Sequence, residues 1–287
     1  MLSKQKRQID LVGNIPFISV HIAGLLIFSV GFSWTALITC LLLWFVRMFG
    51  ITAGYHRYFS HRTYQTTRFF QFILAVLGNA SAQLGPLWWA AHHRHHHKYA
   101  DTEQDIHSPV VHGSWWSHIG WVVSPQYSQT DEYQIRDFAK YPELQYLNRF
   151  HMVVPLLLAI TVTVIGILFE IYLPSLQTSG LQMLIWGFCL STVLLYHSTF
   201  TINSLAHIIG SRRFHTSDNS RNNLFLALIT LGEGWHNNHH YYPASERQGF
   251  YWWEIDITHY ILTVLSWLGI VWNLRTPPPK IYDQSHS

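Results

Sequence analysis

Charged side chains are scarce in this sequence. Of its 287 residues, 11% are Asp, Glu, Lys or Arg, whereas an average soluble domain carries about 25%. Hydrophobic residues make up 49%, with 13 Trp, 15 Tyr and 17 Phe, and Trp and Tyr favour membrane interfaces. The composition therefore indicates an integral membrane protein. The net charge of +3 is small, and we expect no nucleic-acid partner.

Cysteine is also scarce, which excludes a disulfide framework. Cys40 and Cys189 both lie in apolar runs, and we expect them to be small buried hydrophobic residues. No cleaved signal peptide is expected, because the first apolar segment lacks a small-residue cleavage site and a second follows at once. The basic residues Lys4, Lys6 and Arg7 suit the cytoplasmic leaflet of a membrane.

Apolar runs long enough to cross a bilayer, which takes about 20 helical residues, occur four times. The predicted spans are about 11–31, 34–55, 152–173 and 181–202. The short turns at 31–33 and 174–180 contain no Lys or Arg, and every basic residue except Arg47 falls on the other side of the membrane. This is the positive-inside pattern, so both termini are predicted to be cytoplasmic.

Two further apolar stretches are predicted to lie in the membrane plane rather than cross it. Residues 69–89 contain polar residues, Gly85 and Pro86, and residues 251–273 are amphipathic. If 69–89 crossed the bilayer, the histidine groups on either side of it would face opposite compartments. The predicted fold is therefore a single all-α membrane domain over residues 1–287, with two helical hairpins and a cytosolic helical cap that holds a di-metal centre.

Histidine is abundant, and its spacing predicts a metal site. The proposed ligands are His56, His61, His93, His96, His97, His207, His236, His239 and His240, and Asn203 forms a polar i, i+4 pair with His207 inside an apolar run. Positions i, i+3 and i+4 share one face of a helix, and this spacing occurs twice, at His93, His96 and His97 and again downstream. Imidazole is the commonest protein metal ligand, so these residues predict a metal centre.

Nine imidazoles exceed the four ligands of a structural zinc and suit two ions. Imidazole binds zinc, copper, iron and nickel alike, so spacing does not identify the metal. An apolar, aromatic membrane scaffold indicates a lipid-like substrate, whose unactivated C–H bonds require an oxidant. Iron with O2 supplies one, whereas zinc has no redox chemistry. We therefore expect two iron ions, and zinc only as an artefact of overexpression.

The other histidines are expected to be ordinary polar residues or interface anchors rather than ligands. Seven are isolated in the sequence: His21, His112, His151, His197, His215, His259 and His286. His92 and His95 flank the second group but point away from the face that its three ligands share.

The three histidine groups resemble the histidine boxes of membrane fatty-acyl desaturases of the stearoyl-CoA desaturase and acyl-lipid delta-9 type. The neighbouring words agree with the family: Thr-Ala-Gly-Tyr-His-Arg at 52–57, Trp-Ser-His-Ile-Gly-Trp at 116–121, Asn-Ser-Leu-Ala-His at 203–207 and Gly-Glu-Gly-Trp-His at 232–236. The resemblance extends from about residue 12 to residue 260, and the boxes in this order are highly specific.

The resemblance implies a cytosolic di-iron centre and O2-dependent insertion of a cis double bond near the middle of a long acyl chain, at delta-9. One iron would bind His56, His61, His93, His97 and His240, and the other His96, His207, His236 and His239, with Asn203 acting through a water. Asp101, Asp105 and Glu233 are candidates for orienting the ligand imidazoles through the far ring nitrogen. The alternative for these acids is pairing with Arg or Lys at the surface.

One departure from the animal acyl-CoA enzymes concerns the acyl carrier. Those enzymes hold CoA with an Arg-Asp pair and an Arg-Lys pair, where this sequence has Ala91-His92 and Ser124-Pro125. Phosphate groups usually bind Arg or Lys. This departure argues against CoA as the carrier and favours an acyl chain on a membrane lipid or on acyl carrier protein, with acyl-CoA left as an alternative. We expect a separate electron donor, such as a ferredoxin or a cytochrome b5-like protein.

Other functions compatible with the histidine pattern remain open at this stage. A fatty-acyl or lipid hydroxylase uses the same His-rich di-iron site and differs in where the chain sits relative to the oxidant. A zinc-dependent membrane hydrolase and a non-catalytic metal-binding receptor are further alternatives, but nine ligands exceed what either requires.

Overall fold

The computed structural model describes residues 8–283 and is mostly helical within that range. Lys4, Lys6, Arg7 and His286 lie outside the described residues. The α-helices are Ile15–Gly24, Ile27–Val30, Trp34–Phe49, Arg68–Asn79, Pro86–Tyr99, Pro109–His112, Arg136–Ala139, Pro142–Arg149, Val153–Tyr172, Gly180–Gln182, Ser191–Asn203, Leu224–Ile229, His236–Tyr241, Ile257–Trp267 and Lys280–Asp283. The π-helices are Gly50–Ser60, Trp116–Gly120 and Met183–Leu190, and the 3₁₀ turns are Pro125–Tyr127, Pro174–Leu176 and Leu205–His207. The strands Gln65–Thr66 and Val271–Trp272 pair antiparallel.

Three helices are long and apolar enough to cross a bilayer: Trp34–Ser60, Val153–Tyr172 and Gly180–His207. The first and third extend beyond the predicted 34–55 and 181–202 because each continues into the histidine-bearing residues. The predicted span 11–31 forms a shorter apolar helical segment, Ile15–Val30, which is interrupted by a turn at Leu25 and Leu26. Its 16 residues cover about 24 Å, against a hydrocarbon core of about 30 Å.

The two hairpins have well-defined turns. Ser33 begins the helix at Trp34, since its side-chain oxygen accepts a hydrogen bond from the Ala36 N–H at 3.1 Å. Ser179 caps the helix at Gly180 in the same way, accepting from the Gln182 N–H at 3.2 Å. Side-chain caps of this kind satisfy backbone donors that a helix leaves free at its start.

The range 69–89, predicted as one in-plane element, consists of two helices with a break between them. Arg68–Asn79 has 12 residues, or about 18 Å, which is too short to cross a bilayer. Ala82 and Leu84 then adopt positive φ angles of 55° and 61°, a conformation that a helix cannot contain. Pro86 starts the next helix, where its missing N–H costs nothing.

Helix Arg68–Asn79 lies directly against the segment that carries His56. A Cβ on Gly50 would stand 2.5 Å from the carbonyl carbon of Leu77, so only glycine permits this approach. The segment Gly50–Ser60 is a π-helix, a wider winding that often occurs at functional sites. Close packing and wide winding therefore both occur in the segment that carries His56.

A buried arginine joins the two hairpins. Arg47 is 1% exposed and donates hydrogen bonds to Ser191 Oγ at 2.5 Å and Thr192 Oγ1 at 2.7 Å. It also donates to the backbone carbonyl oxygens of Leu43 and Ala80. These contacts connect helix Trp34–Ser60 with helix Gly180–His207 through a charged group that lies inside an otherwise apolar bundle.

The predicted in-plane stretch 251–273 forms a shorter helix, Ile257–Trp267, and then strand Val271–Trp272. The strand pairs with Gln65–Thr66, and the Arg275 N–H donates to the Thr63 carbonyl at 3.0 Å. The C-terminal region is thereby attached to the chain that follows His61.

Candidate metal centre

The histidines come from four elements that converge at one end of the long helices. His56 lies in Gly50–Ser60 and His61 follows directly, while helix Pro86–Tyr99 carries the three histidines of the second group. His207 ends the turn after helix Ser191–Asn203, and helix His236–Tyr241 supplies the last three. In the second group the i, i+3, i+4 spacing places all three rings on the side that faces the other elements.

These rings form two clusters whose nitrogens lie within 4.8 Å of one another. The first cluster is His56, His61, His93, His97 and His239, and the second cluster is His96, His207, His236 and His240. All nine histidines predicted from the sequence are included. The partition implied by the resemblance is wrong in one respect, since His239 and His240 have exchanged places. Consecutive helical residues point about 100° apart, so only the actual helix orientation decides which ring joins which cluster.

Ring nitrogens inside each cluster are very close together. The Nε2 atom of His239 lies 3.0 Å from His56 Nε2 and 2.8 Å from His97 Nε2. In the second cluster His207 Nε2 lies 3.0 Å from His236 Nε2. Two nitrogens bound at right angles to one ion at about 2.1 Å are about 3.0 Å apart. The spacing therefore fits lone pairs that converge on an ion.

Buried polar atoms support the same conclusion. The His240 Nε2 atom is buried and has no hydrogen-bond partner among the described residues. An unpaired buried nitrogen is costly, and its position within the second cluster fits a metal ligand. Both clusters therefore have the donor set and spacing to hold one metal ion each.

Carboxylates contact the Nδ1 atoms of four of the ligand rings, and three of these acids were predicted from the sequence. The Nδ1 atoms of His96 and His207 lie 3.0 Å from Asp105 and Asp101 respectively, and His56 Nδ1 contacts Glu233. A carboxylate at Nδ1 selects the tautomer whose Nε2 lone pair faces the metal. The three acids singled out in the sequence are therefore next to the histidine clusters rather than at the surface.

A fourth acid was missed by the sequence analysis. His240 Nδ1 donates to Asp218 Oδ2 at 2.9 Å. Asp218 lies in the irregular segment 211–223, where neither spacing nor a motif distinguishes it from other polar residues. It is 6% exposed and also accepts from the Ser220 N–H, so its orientation is set by its own loop.

The electrostatics keep most of these imidazoles neutral and Asp218 ionised. Burial, reinforced by neighbouring imidazoles, lowers the pKa of His97 and His239 well below the usual value. Burial lowers the pKa of His240 to about 4, although Asp218 opposes the shift. Burial acts to raise the pKa of Asp218, but the interactions with His240 and the hydrogen bonds from Ser220 together outweigh burial, and the pKa is lowered. Neutral imidazole is the form that binds metal.

Another residue that the sequence analysis left without a role is His107. It is 4% exposed, and its ring stacks on His96 with 4.4 Å between ring centroids. Its Nδ1 atom is buried without a hydrogen-bond partner among the described residues. His107 also forms a group of possible ligands with His96 and Asp105. His107 lies in the residues that follow His93, His96 and His97. Its distance from them along the sequence does not match the i, i+3, i+4 spacing of a helix face, so the pattern did not single it out.

Most of the histidines that were not predicted as ligands form hydrogen bonds outside the clusters or are exposed. His259 Nδ1 contacts Glu246 at 2.7 Å, His95 Nε2 contacts the Gln104 carbonyl at 2.9 Å, and His215 is exposed. His21 and His197 contact each other at 3.2 Å, and His197 also contacts His118, a residue to which the sequence analysis gave no role, at 3.0 Å. None of these residues belongs to either cluster.

An apolar cavity of about 460 Å³ leads to the first cluster. Trp89, His93 and Asn203 line its inner end, and Phe188 and Cys189 line it within the long helices. No Asp, Glu, Lys or Arg occurs among the described residues that line it. Its size is that of a small-molecule site, and its lining suits a hydrocarbon chain.

Asn203 lies between this cavity and the clusters. It also lines a smaller cavity of about 30 Å³ together with His56 and His236. This volume accommodates about one water molecule. The position suits the water-mediated role predicted for Asn203, which stays a prediction.

We expect Asp218→Asn to weaken metal binding by about 10- to 100-fold, as loss of an outer carboxylate usually does. The amide cannot be ionised and no longer favours the His240 tautomer that presents Nε2. The measurement is iron retained per chain during titration with a chelator. Asp131→Asn removes the same charge at an exposed position and should retain iron like the wild type. Equal retention by both variants would contradict the role of Asp218.

Comparison with known proteins matches this chain to fatty acid desaturases. The model of the fatty acid desaturase family matches residues 32–272. The sn-1 stearoyl-lipid 9-desaturase of Anabaena variabilis is 34% identical over 279 residues, which cover 96% of this chain and 97% of that relative. The sn-2 palmitoyl-lipid 9-desaturase of Nostoc sp. (strain 36) is 34% identical over 273 residues, 93% of this chain and 91% of the relative. The acyl-CoA C20 Delta5-desaturase of Anemone leveillei is 34% identical over 250 residues, 86% of this chain and 76% of the relative.

Proposed function

Since this chain belongs to the fatty acid desaturase family, we propose that it introduces a cis double bond at the delta-9 position of a long acyl chain. The observation that carries the proposal is the meeting of two histidine clusters with the inner end of an uncharged apolar cavity. An acyl chain in this cavity would present its methylene groups to the first cluster. Relatives named as desaturases do not favour the hydroxylase alternative.

The proposed metals are two iron ions, one in each cluster. The five imidazoles of the first cluster and the four of the second are the proposed ligands. Iron with O2 would supply an oxidant that can break an unactivated C–H bond. Imidazole also binds zinc, so these residues can take up zinc during overexpression.

The protein's own residues position the reaction. Asp101, Asp105, Asp218 and Glu233 orient four ligand rings through Nδ1. Trp89 stacks on His93 with 5.1 Å between ring centroids and lines the cavity beside it. An apolar wall at this point excludes water from the reacting carbons, which protects the oxidant from side reactions.

For topology we propose four spans, with Ile15–Val30 as the first, a cytosolic cap, and both termini and the metal centre on the cytoplasmic side. The support is the placement of Lys and Arg in the sequence and the location of both clusters at the same end of the long helices. Ile15–Val30 reaches across by means of the flanking apolar residues Leu11 and Val12.

For the acyl carrier we propose a membrane glycerolipid rather than CoA. The described cavity lining contains no cationic group to hold phosphates, and two of the relatives are named for lipid-linked acyl chains. Electrons come from a separate donor, for which a ferredoxin or a cytochrome b5-like protein is suitable.

Expression in a desaturase-deficient host tests the proposal. Gas chromatography with mass spectrometry of total fatty acids should show a new monounsaturated acid, lighter than its parent by two hydrogen atoms. Its double-bond position tests the delta-9 assignment. A product heavier by one oxygen atom would indicate hydroxylation, and no difference from the empty-vector host would reject the proposed activity.

A further inference from the structure

The large cavity is not closed on all sides. Some residues that line it are also exposed on the outside of the bundle: Pro16 and Ser19 of the first helix and Leu156 of helix Val153–Tyr172. Leu156 is 54% exposed. A residue that is both exposed and part of the lining marks an opening. The cavity therefore reaches the surface between these two helices.

These two helices have little contact with each other. Ile15–Gly24 packs against Met183–Leu190, and Val153–Tyr172 packs against the same segment. Between the described parts of the two helices there is no comparable packing. Met183–Leu190 thus forms the floor of a groove, and its residues Leu184, Phe188 and Cys189 line the cavity from below.

The surface around the opening is apolar. Ile15, Ile18 and Ile22 are 56%, 36% and 62% exposed on one side, and Leu157 and Ile160 are 57% and 59% exposed on the other. In water such a surface would be unfavourable, but it suits contact with lipid chains. The opening therefore faces the hydrocarbon part of a bilayer.

The cavity runs along one helix face and ends at the metal centre. Leu184, Phe188, Thr192, Tyr196, Thr199 and Asn203 line it in succession, at the three- and four-residue steps of a helix face. The opening lies level with Tyr196, near the metal end of this face, since Phe17 stacks on the Tyr196 ring with 5.3 Å between ring centroids and His21 contacts His197 at 3.2 Å. At the α-helical rise the lined face extends over about 28 Å. This shape suits an extended chain rather than a compact ligand.

We propose that the gap between Ile15–Gly24 and Val153–Tyr172 is a lateral portal through which an acyl chain enters directly from the bilayer while it remains esterified in a glycerolipid. This inference rests on the proposed desaturase function and adds a route for its substrate. The chain passes between Ser19 and Leu156 and reaches His93 and Asn203 without leaving an apolar environment. No part of the lipid has to enter the cytosol.

The test substitutes tryptophan at pairs of neighbouring positions. In each pair one residue lines the cavity and the other is exposed but does not line it. Leu156→Trp narrows the portal, whereas Leu157→Trp is its control, because Leu157 is exposed but does not line the cavity. Ser19→Trp and Ile18→Trp form the same kind of pair on the first helix. The protein is purified with its metal, reconstituted in vesicles of monogalactosyldiacylglycerol and phosphatidylglycerol with saturated chains, and supplied with an electron donor.

The portal predicts a decrease of about tenfold in kcat/KM for Leu156→Trp and Ser19→Trp, with values near wild type for both controls. The double-bond position in the remaining product should not change, since neither Leu156 nor Ser19 belongs to the clusters. A changed position would show that the tryptophan fills the substrate site, and equal rates within each pair would show that lipid enters elsewhere. Either result overturns the portal.

Leu156→Ala tests the same position without adding bulk, and its kcat/KM should not decrease. A large decrease would mean that Leu156 supports the fold rather than the portal. Wild-type protein that holds iron but makes no product would instead reject the proposed function itself, so the two failures are distinguishable.

Discussion

His239→Ala should abolish desaturation while the protein still inserts into the membrane. Its ring is 2% exposed and its Nε2 atom stands 3.0 Å from His56 Nε2 and 2.8 Å from His97 Nε2. It is therefore central to the first cluster. Alanine removes a donor that no nearby residue replaces, and we expect product below detection and less than two iron ions per chain. The measurements are gas chromatography of cell fatty acids and iron content of the purified protein.

The control for this variant is His215→Ala, which removes an exposed imidazole and should leave both product and iron unchanged. His96→Ala tests the second cluster in the same way and should also abolish product. His96 is 2% exposed, and its Nδ1 atom lies 3.0 Å from Asp105. Size-exclusion chromatography in detergent shows whether each variant is folded. Full activity of either cluster variant would contradict the ligand assignment.

Arg57→Leu should strongly destabilise the protein. Arg57 is 1% exposed and contacts three carboxylates: Asp256 at 2.9 Å, Glu233 at 3.2 Å and Glu246 at 3.3 Å. Removal of one member of a buried ion network leaves charges without a partner and costs about 3–5 kcal/mol. The measurement is the free energy of unfolding in detergent, with thermal inactivation as a second readout.

The matched control is Arg62→Leu. Arg62 is in the same region, but its side chain is 62% exposed and its only ion pair among the described residues is with Asp137 at 3.3 Å. Such surface pairs contribute at most about 1 kcal/mol. Arg57→Lys retains the charge without the planar fork and should lie between the two. Similar stability of Arg57→Leu and Arg62→Leu would show that the network does not support the fold.

The histidine positions could be predicted because short-range helical geometry decides them. Residues at i, i+3 and i+4 share a face whatever the rest of the fold does, so His93, His96 and His97 were predicted as one group. The partition of His239 and His240 depends on how one short helix is oriented against the others, which no local pattern encodes. Asp218 was missed for the same reason, since its loop returns to the clusters from a segment without periodicity.

The long helices were predictable from their apolar content, but their ends were not. Helix Trp34–Ser60 continues past the predicted residue 55 because the π-helical segment at its end is stabilised by packing, as the contact between Gly50 and Leu77 shows. Gly85 and Pro86 partly indicated the helix break within 69–89. Nothing in the sequence indicated the positive φ angles at Ala82 and Leu84, since neither residue type favours them.

The side-chain partners of Arg47 have a consequence for biogenesis. Ser191 and Thr192 are 144 and 145 residues further along the chain, so the ribosome releases the arginine long before either hydroxyl exists. Until then the guanidinium has only the Leu43 and Ala80 carbonyl oxygens as partners, and an incompletely paired charge is costly in hydrocarbon. We therefore expect the helix that carries Arg47 to reach its final depth in the bilayer only after the second half of the protein has been synthesised.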